Sequence, residues 1–339
     1  MDSAFGKVPR IKTELNAKDR NGAIRSRLSS YRDTYRVDPG LYAVGNPTKD
    51  SDVLISANYK LSFDYLRKEL GDLDVWVLVI DTNGINVWCA AGKGSFGTEE
   101  IINRVKKYDL EKLVEHRRII VPQLGGPGVN AKRVKDSTGF RVSFGPVQAS
   151  HIKEYIQAGY KASRAMRKIK FSFVDRLVLT PLEINPIMKR FPHFALIVLL
   201  VFGIMPEGIL FKDALINGLP FLMMGFGAVF AGAFLTPLFL PFLPSRSFVI
   251  KGWIAGFVVN LIVLKLFGSS LDLALMIASH VFFPLLSSFI AFQFTGSTTY
   301  THMSGVQKEM KLALPVYISS LGVTAILIVI HKIFLWGWL

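Results

Sequence analysis

The chain has 339 residues, 50% of them hydrophobic and only 19% charged, with 40 bases against 25 acids. Such a composition excludes a protein that is water-soluble along its whole length. The single cysteine, Cys89, excludes an internal disulfide. It also excludes an iron–sulfur cluster held by this chain alone, which needs about four thiolates.

The charge is unevenly spread. Residues 191–339 hold seven bases and four acids, and the first 190 hold the other 33 and 21. A basic, water-soluble half followed by a membrane half is the expectation. The opening MDSAFGKVPR lacks the apolar stretch of a signal peptide. The first half is therefore expected in the cytoplasm, where a thiol stays reduced.

Residues 1–40 are polar and basic with no sustained period, which predicts an N-terminal arm. From 41 to 160 strand and helix patterns alternate. DVLISAN (52–58) reads as a strand and SFDYLRKEL (62–70) as a helix. DVWVLVID (74–81) is a near-continuous apolar run, as in a strand covered on both faces. TEEIINRVKKYD (98–109) reads as a helix capped by Thr98, with two glutamates in its first turn. RRIIVPQ (117–123) and FRVSFGPV (140–147) read as strands, GVNAKRVKDST (128–138) and ASHIKEYIQAGY (149–160) as helices. The alternation predicts an α/β, Rossmann-like domain with a parallel sheet and helices on both faces. Ligands of such sheets sit at the carboxyl ends of the strands.

Residues 161–190, with KASRAMRKIK and then Lys189 and Arg190, predict a basic juxtamembrane linker. Residues 191–339 predict an all-α membrane domain. A spanning helix needs roughly 20 apolar residues, and five stretches qualify, near 191–211, 214–242, 248–267, 271–293 and 312–338. The first is short or broken near Pro206. Basic residues cluster before the first span, around Arg246 and Lys251, and at Lys308 and Lys311. With five spans these fall on one side, so a multi-pass protein of the cytoplasmic membrane is expected. Its N-terminal domain would be cytoplasmic and its C-terminus outside. Membrane lipid is an implied partner, since the basic run suits anionic headgroups. His280 is the one plausible ionisable residue in mid-span, and a histidine bonded to a neighbouring helix explains it more simply than transport does.

Two glycine-rich loops follow predicted strands, NGINVWCAAGKGSFG (83–97) and LGGPGVNA (124–131). Glycine lets backbone approach a ligand closely, but it equally serves tight turns. Neither loop is a Walker A motif: Val87 stands where GxxxxGK[ST] needs its first glycine, and Gly94 follows Lys93. Neither fits GxGxxG. Cys89 then has three readings. It is a buried inert thiol. It is a nucleophile, for which His116 and His151 are the available bases. Or it is a single ligand to a metal that a macrocycle already holds. In the last case a helix N-terminus and Lys93, one turn on, favour the thiolate.

NVWCAAGKG (86–94) strongly resembles the cap-helix motif of the HgcA family, membrane-anchored corrinoid proteins of microbial mercury methylation. VLISANYKLSFDYLRKEL (53–70) and GGPGVNA (125–131) also resemble the corrinoid-binding domain of the corrinoid iron–sulfur protein of the acetyl-CoA pathway. The absence of an iron–sulfur motif and the five-span tail follow the HgcA arrangement, so the resemblance covers essentially the whole chain. DxHxxG, the signature of another cobalamin fold, is absent.

The resemblance implies a cobalamin-type corrinoid, with Cys89 as lower axial ligand of its cobalt. It implies transfer of a methyl group from cobalt to mercuric ion, forming methylmercury. Asn86, Val87, Trp88, Ala90, Ala91, Gly92 and Lys93 would shape the cap helix, the alanines giving clearance to the corrin. Gly125, Gly126, Gly128, Val129 and Asn130 would line the nucleotide tail. The implied partners are a methyl donor system and a ferredoxin-like iron–sulfur protein, HgcB, as electron donor and carrier of mercury. Two rival functions stand beside this one. The first is a general membrane-attached methyl carrier for carbon metabolism. The second is a transporter with a regulatory domain, which would depend on His280 rather than Cys89. No nucleic-acid partner is expected, because no reader motif accompanies the basic surplus.

Overall fold

The computed structural model describes residues 2–3, 6–28 and 30–338. The chain divides into two compact units, Met1–Lys170 and Phe171–Leu339.

The first unit is built on a five-stranded sheet. Strands β1 (Gly40–Val44), β2 (Val53–Ala57), β3 (Val75–Ile80), β4 (Arg118–Val121) and β5 (Arg141–Phe144) lie in the order β1-β3-β2-β4-β5. The last four are mutually parallel, and β1 pairs antiparallel with β3. The helices are α1 (Ala17–Leu28), α2 (Lys60–Lys68), α3 (Val87–Lys93), α4 (Thr98–Lys107), α5 (Leu110–Leu113), α6 (Ala131–Thr138) and α7 (Ile152–Gln157).

Alternation along β3 explains its unbroken apolar run. Trp76, Leu78 and Ile80 enter one core with Ile101 and Val105 of α4. Val75, Val77 and Val79 enter the opposite core with Phe63 of α2 and Tyr155 of α7. Every residue of β2 and β3 is buried. That is the pattern of a parallel sheet covered on both sides.

The first 40 residues are more than an irregular arm. Val8 is buried in the core. Ala43 N donates to Pro9 O and Ile11 N to Ala43 O, both at 2.9 Å, so residues 9–11 run along the free edge of β1. Further on, α1 forms although its charged sequence has no apolar stripe. Ion pairs hold it instead: Asp19 meets Lys60 Nζ at 2.8 Å and Arg67 Nη2 at 2.7 Å, and both cations also pair with Asp64. Burial raises the pKa of the Asp19 carboxyl, but hydrogen bonds from Lys60, the Asn16 amide and Arg67 outweigh it and hold the group at about 2. Periodicity cannot reveal a helix held this way.

At α4 the N-cap is Gly97, not Thr98. The Thr98 hydroxyl is taken up elsewhere, accepting from Asn130 N at 2.8 Å.

Residues 161–190 are likewise not a free linker. Met166 is buried in the second core. From Phe173 the chain is helical, because Ser172 and Asp175 form a capping box. The second unit therefore starts its first long helix well before residue 191. Its helices are α8 (Phe173–Gly203), α9 (Phe211–Val229), α10 (Phe248–Phe267), α11 (Leu273–Gln293) and α12 (Met303–Leu335). A small hairpin, Ile204–Met205 against Gly208–Ile209, carries Pro206 in its turn and ends α8. A π-helical turn, Phe230–Leu235, extends α9. All five are long and apolar enough to cross a membrane, with mean hydropathy from 1.4 to 2.2.

Helices α10 and α11 approach most closely where side chains are smallest. A Cβ on Gly252 or Gly256 would overlap Ala291 or Ser287. Ser287 Oγ donates to Gly252 O at 2.9 Å across this contact. Small residues and side-chain hydroxyls joining helices are the usual packing of apolar bundles.

Candidate functional site

The loop after β3 sets the position of Cys89. Asn83 and Gly84 turn the chain through the left-handed region, with φ of 57° and 71°. Buried Asn58, just past the end of β2, clamps this turn. Its Oδ1 accepts from Thr82 N at 3.0 Å and Gly84 N at 2.9 Å, and its Nδ2 donates to Asp81 Oδ1 at 3.0 Å. Helix α3 then starts at its N-cap Asn86, whose side chain accepts from Cys89 N at 2.9 Å. The Cys89 backbone is thereby fixed from both the strand and the cap. Gly94, at φ 85°, ends the helix.

Two faces of α3 differ. Ala90 and Ala91 point inward, at 0% and 6% exposure. They pack against the turn Gln123–Gly128 that follows β4. A Cβ on Gly125 would overlap the Phe96 ring, and one on Gly128 would overlap the Phe96 carbonyl and crowd Ala91. The small residues of both loops thus give clearance to each other. The expectation that the alanines clear space for a flat ligand is corrected here, because their Cβ atoms face the core. The other face is open. Asn86 and Cys89 are partly exposed, Gly92 and Lys93 fully so, all at helical spacing on one side. No atom lies within 4 Å of a Cβ built on Gly92.

A cavity of about 380 Å³ opens at the start of α3, and of this face only Asn86 lines it; Cys89, Gly92 and Lys93 do not. It lies at the carboxyl ends of β2, β4 and β5, and Asn86, Val87 and Trp88 form one wall. The sheet order changes direction at β2, with β3 on one side and β4 on the other, so this is the topological switch point where such sheets bind ligands. The lining is mostly apolar, with Ser56, Ser62 and Tyr65 as polar members.

Of the second glycine loop only its first residue, Leu124, reaches the cavity; Gly125, Gly126, Gly128, Val129 and Asn130 do not line it. Gly126 is partly exposed and Val129 is buried in the core. Asn130 caps α6, accepting from Arg133 N at 3.1 Å. The loop after β5, Gly145–Pro146–Val147, contributes to the wall and escaped the sequence reading. Its position after a parallel strand was the available signal. That loop is also tied to the tether that leads to the second unit. Val147 N donates to Met166 O at 2.9 Å, and Arg167 donates to Gln123 Oε1.

Neither histidine forms a dyad with the cysteine. His116 bonds Ser51 O at 2.9 Å, at the opposite, amino end of the strands. His151 stands at the start of α7 with its Nδ1 buried and without a partner. Among the described residues no three His, Cys, Asp or Glu side chains converge as a metal site. The donor set beside the cavity is one thiol on an open helix face. That set does not suit a bare ion, and it fits one axial position on a metal held by a macrocycle. In the second unit His280 Nδ1 bonds Met276 O of its own helix at 2.9 Å, rather than a neighbouring helix as expected.

Residues 27–156 match the family model of the CO dehydrogenase/acetyl-CoA synthase delta subunit. Within the N-terminal unit this stretch is similar to a domain of the corrinoid iron–sulfur protein. Over 128 residues the chain is 34% identical to the acetyl-CoA decarbonylase/synthase complex subunit gamma of Methanopyrus kandleri, covering 37% of this chain and 27% of that protein. Over 125 residues it is 32% identical to the corrinoid/iron-sulfur protein large subunit of Moorella thermoacetica, covering 36% and 28%. The chain thus spans little more than a quarter of the relatives it matches. A domain of this kind followed by five apolar helices is the arrangement of an HgcA-like corrinoid protein with a membrane domain.

Proposed function

We propose that the chain is a membrane-attached, corrinoid-dependent methyltransferase whose methyl acceptor is mercuric ion and whose product is methylmercury. The observation that carries this reading is the setting of Cys89. The only thiol stands on a capped helix whose first residues, Asn86, Val87 and Trp88, wall an apolar cavity, in a domain homologous to corrinoid proteins. A bound cobalamin-type corrinoid would supply the cobalt that carries the methyl group.

The chain's own residues have distinct tasks in this scheme. Cys89 would ligate cobalt as a thiolate from below. Asn86 holds the Cys89 amide and thereby the direction of its side chain. Exposed Lys93, one turn on, adds positive charge on the same face. Gly92 leaves that face open. The cavity behind Val87 and Trp88 would take the displaced nucleotide tail, with Ser56 and Ser62 as polar contacts. Gly125, Gly126, Gly128, Val129 and Asn130 would support that tail indirectly, by seating the loop against α3. Reducing equivalents would come from a ferredoxin-like protein, HgcB, which would also deliver mercury. A separate methyl donor system would reload the site. The N-terminal unit would lie in the cytoplasm and the C-terminus outside, from the placement of the basic residues.

The test is Cys89→Ala in the full chain loaded with corrinoid and given mercuric thiolates. Methylmercury formation is expected to fall more than about 100-fold, beyond the usual cost of losing a residue that only supports a ligand. The absorption signature of sulfur-ligated cobalt should vanish with it. Unchanged product formation in Cys89→Ala would remove the axial-ligand role. A second reading, a general methyl carrier for carbon metabolism, is favoured by relatives that are subunits of an acetyl-CoA decarbonylase/synthase complex. Faster methyl transfer to a metabolic acceptor than to mercuric thiolates would select it.

A further inference from the structure

In the second unit a groove of about 600 Å³ runs between α10 and α12 over Leu285 of α11. Its α12 wall is one helical face, Gly305, Lys308, Glu309, Leu312, Ala313 and Val316, spaced by three and four. The polar and apolar parts are segregated. Arg246, at the loop before α10, and Lys308, in the first turns of α12, stand at one end, both exposed. Neither has an ion-pair partner among the described residues. The one acid, Glu309, is already engaged, its Oε1 accepting from Ser247 Oγ and Val249 N, both at 2.6 Å. Away from this end the walls are Ile250, Leu312 and Val316, at 47%, 70% and 50% exposure. From Lys308 to Val316 the stripe runs roughly 12 Å along the helix, most of one leaflet's share of a roughly 30 Å hydrocarbon layer.

We infer that this groove binds an anionic phospholipid, with the headgroup phosphate between Arg246 and Lys308 and an acyl chain along Ile250, Leu312 and Val316. Charge complementarity selects the occupant. Two unpaired cations at the polar end need an anion, and the exposed apolar walls below them need a chain. A zwitterionic lipid brings the same phosphate but adds a cation of its own beside Arg246 and Lys308, which offsets the attraction, and a free phosphate lacks the chain. Basic pockets between apolar helices recognise anionic headgroups in this way. The proposal does not depend on the cofactor of the first unit.

Native mass spectrometry of the full chain in mild detergent tests it. Phosphatidylglycerol, phosphatidylcholine and glycerol 3-phosphate are added in separate arms. Phosphatidylglycerol should be retained about tenfold better than phosphatidylcholine, and glycerol 3-phosphate should not be retained. The pair Arg246→Gln with Lys308→Gln should abolish the preference, whereas Lys311→Gln, outside the groove, should keep it. Leu312→Trp keeps both cations but fills the apolar part, and should lower phosphatidylglycerol retention at unchanged melting temperature. That variant decides if the double variant does not fold. Equal retention of the two lipids by the unaltered chain, a preference that survives in the double variant, full retention in Leu312→Trp, or glycerol 3-phosphate held as firmly as the lipid would each overturn the proposal.

Discussion

The two units satisfy their buried cations differently, although Arg67 of the first also donates to the backbone carbonyls of Lys12 and Glu14. In the first, Lys60 and Arg67 meet carboxylates, Asp19 and Asp64, in a network that clamps α1 onto α2. In the second, buried cations meet backbone carbonyls, most of them where a helix has just ended. Arg176 donates to Leu238 O at 3.1 Å and Phe171 O at 2.8 Å, and Lys251 donates to Leu240 O. Lys332 donates to Phe202 O and Ile204 O, where α8 stops. The terminal carbonyls of a helix have no partner within it and carry partial negative charge. An apolar surrounding leaves them without water, so a long basic side chain satisfies them. The acids of the second unit are too few to pair with its bases, whereas helix ends are plentiful.

The surfaces differ in the same sense. In the first unit few large apolar side chains are exposed, Ile24 and Tyr65 among them. In the second they crowd every long helix, while Ser279, Ser287, Ser288, Thr236 and Asn260 are buried.

The widest separation of the two units is expected from one substitution made in both. Ile326→Lys, on an exposed site of α12 (62%), should impair insertion into a bilayer by about 3 kcal/mol, the cost of a cation near mid-span. Ile24→Lys, similarly exposed on α1 (57%), should change stability by no more than about 0.5 kcal/mol. A glycosylation-mapped insertion assay and a thermal melt measure the two. Equal effects would break the comparison.

The charge network of the first unit gives the next largest effect. The Asp19 carboxyl is held at about 2, below its ordinary 3.8. A depressed carboxylate contributes stability that is complete above the unfolded value and is lost as pH falls through the folded one. Asp19→Asn should therefore cost about 2 kcal/mol near neutrality. The difference from the unaltered chain should shrink between pH 4 and pH 2, which melts across that window would record. A pH-independent difference would show that Asp19 acts through shape rather than charge.

The smallest effect concerns α3. Asn86→Ala removes the acceptor of the Cys89 amide and should cost about 1 kcal/mol. Hydrogen exchange at the Cys89 amide should quicken, and Asn86→Asp should restore protection.

Much of the fold was legible in the sequence. The four parallel strands, the helices between them and five apolar helices each carry a periodic or continuous apolar signal. Elements held by other forces were not. Helix α1 rests on ion pairs, and β1, starting where the lead-in ends, joins the sheet antiparallel. Residues 173–190 are inside α8, because a capping box starts the helix ahead of its apolar part, and only the KASRAMRKIK run lies before it. Around Cys89, the family resemblance implied the helix and the glycines marked its neighbour, but neither told which side of each faces outward.

The sequence by itself therefore determined that one thiol serves a mixed α/β domain joined to five apolar helices, since composition and period are local quantities. Only the tertiary structure decided the use of the small residues around that thiol. Ala90, Ala91, Gly125 and Gly128 are spent on seating two loops against each other, and Asn86, Cys89, Gly92 and Lys93 are left on the open face. That division depends on distances between segments far apart in the chain, which no local pattern records.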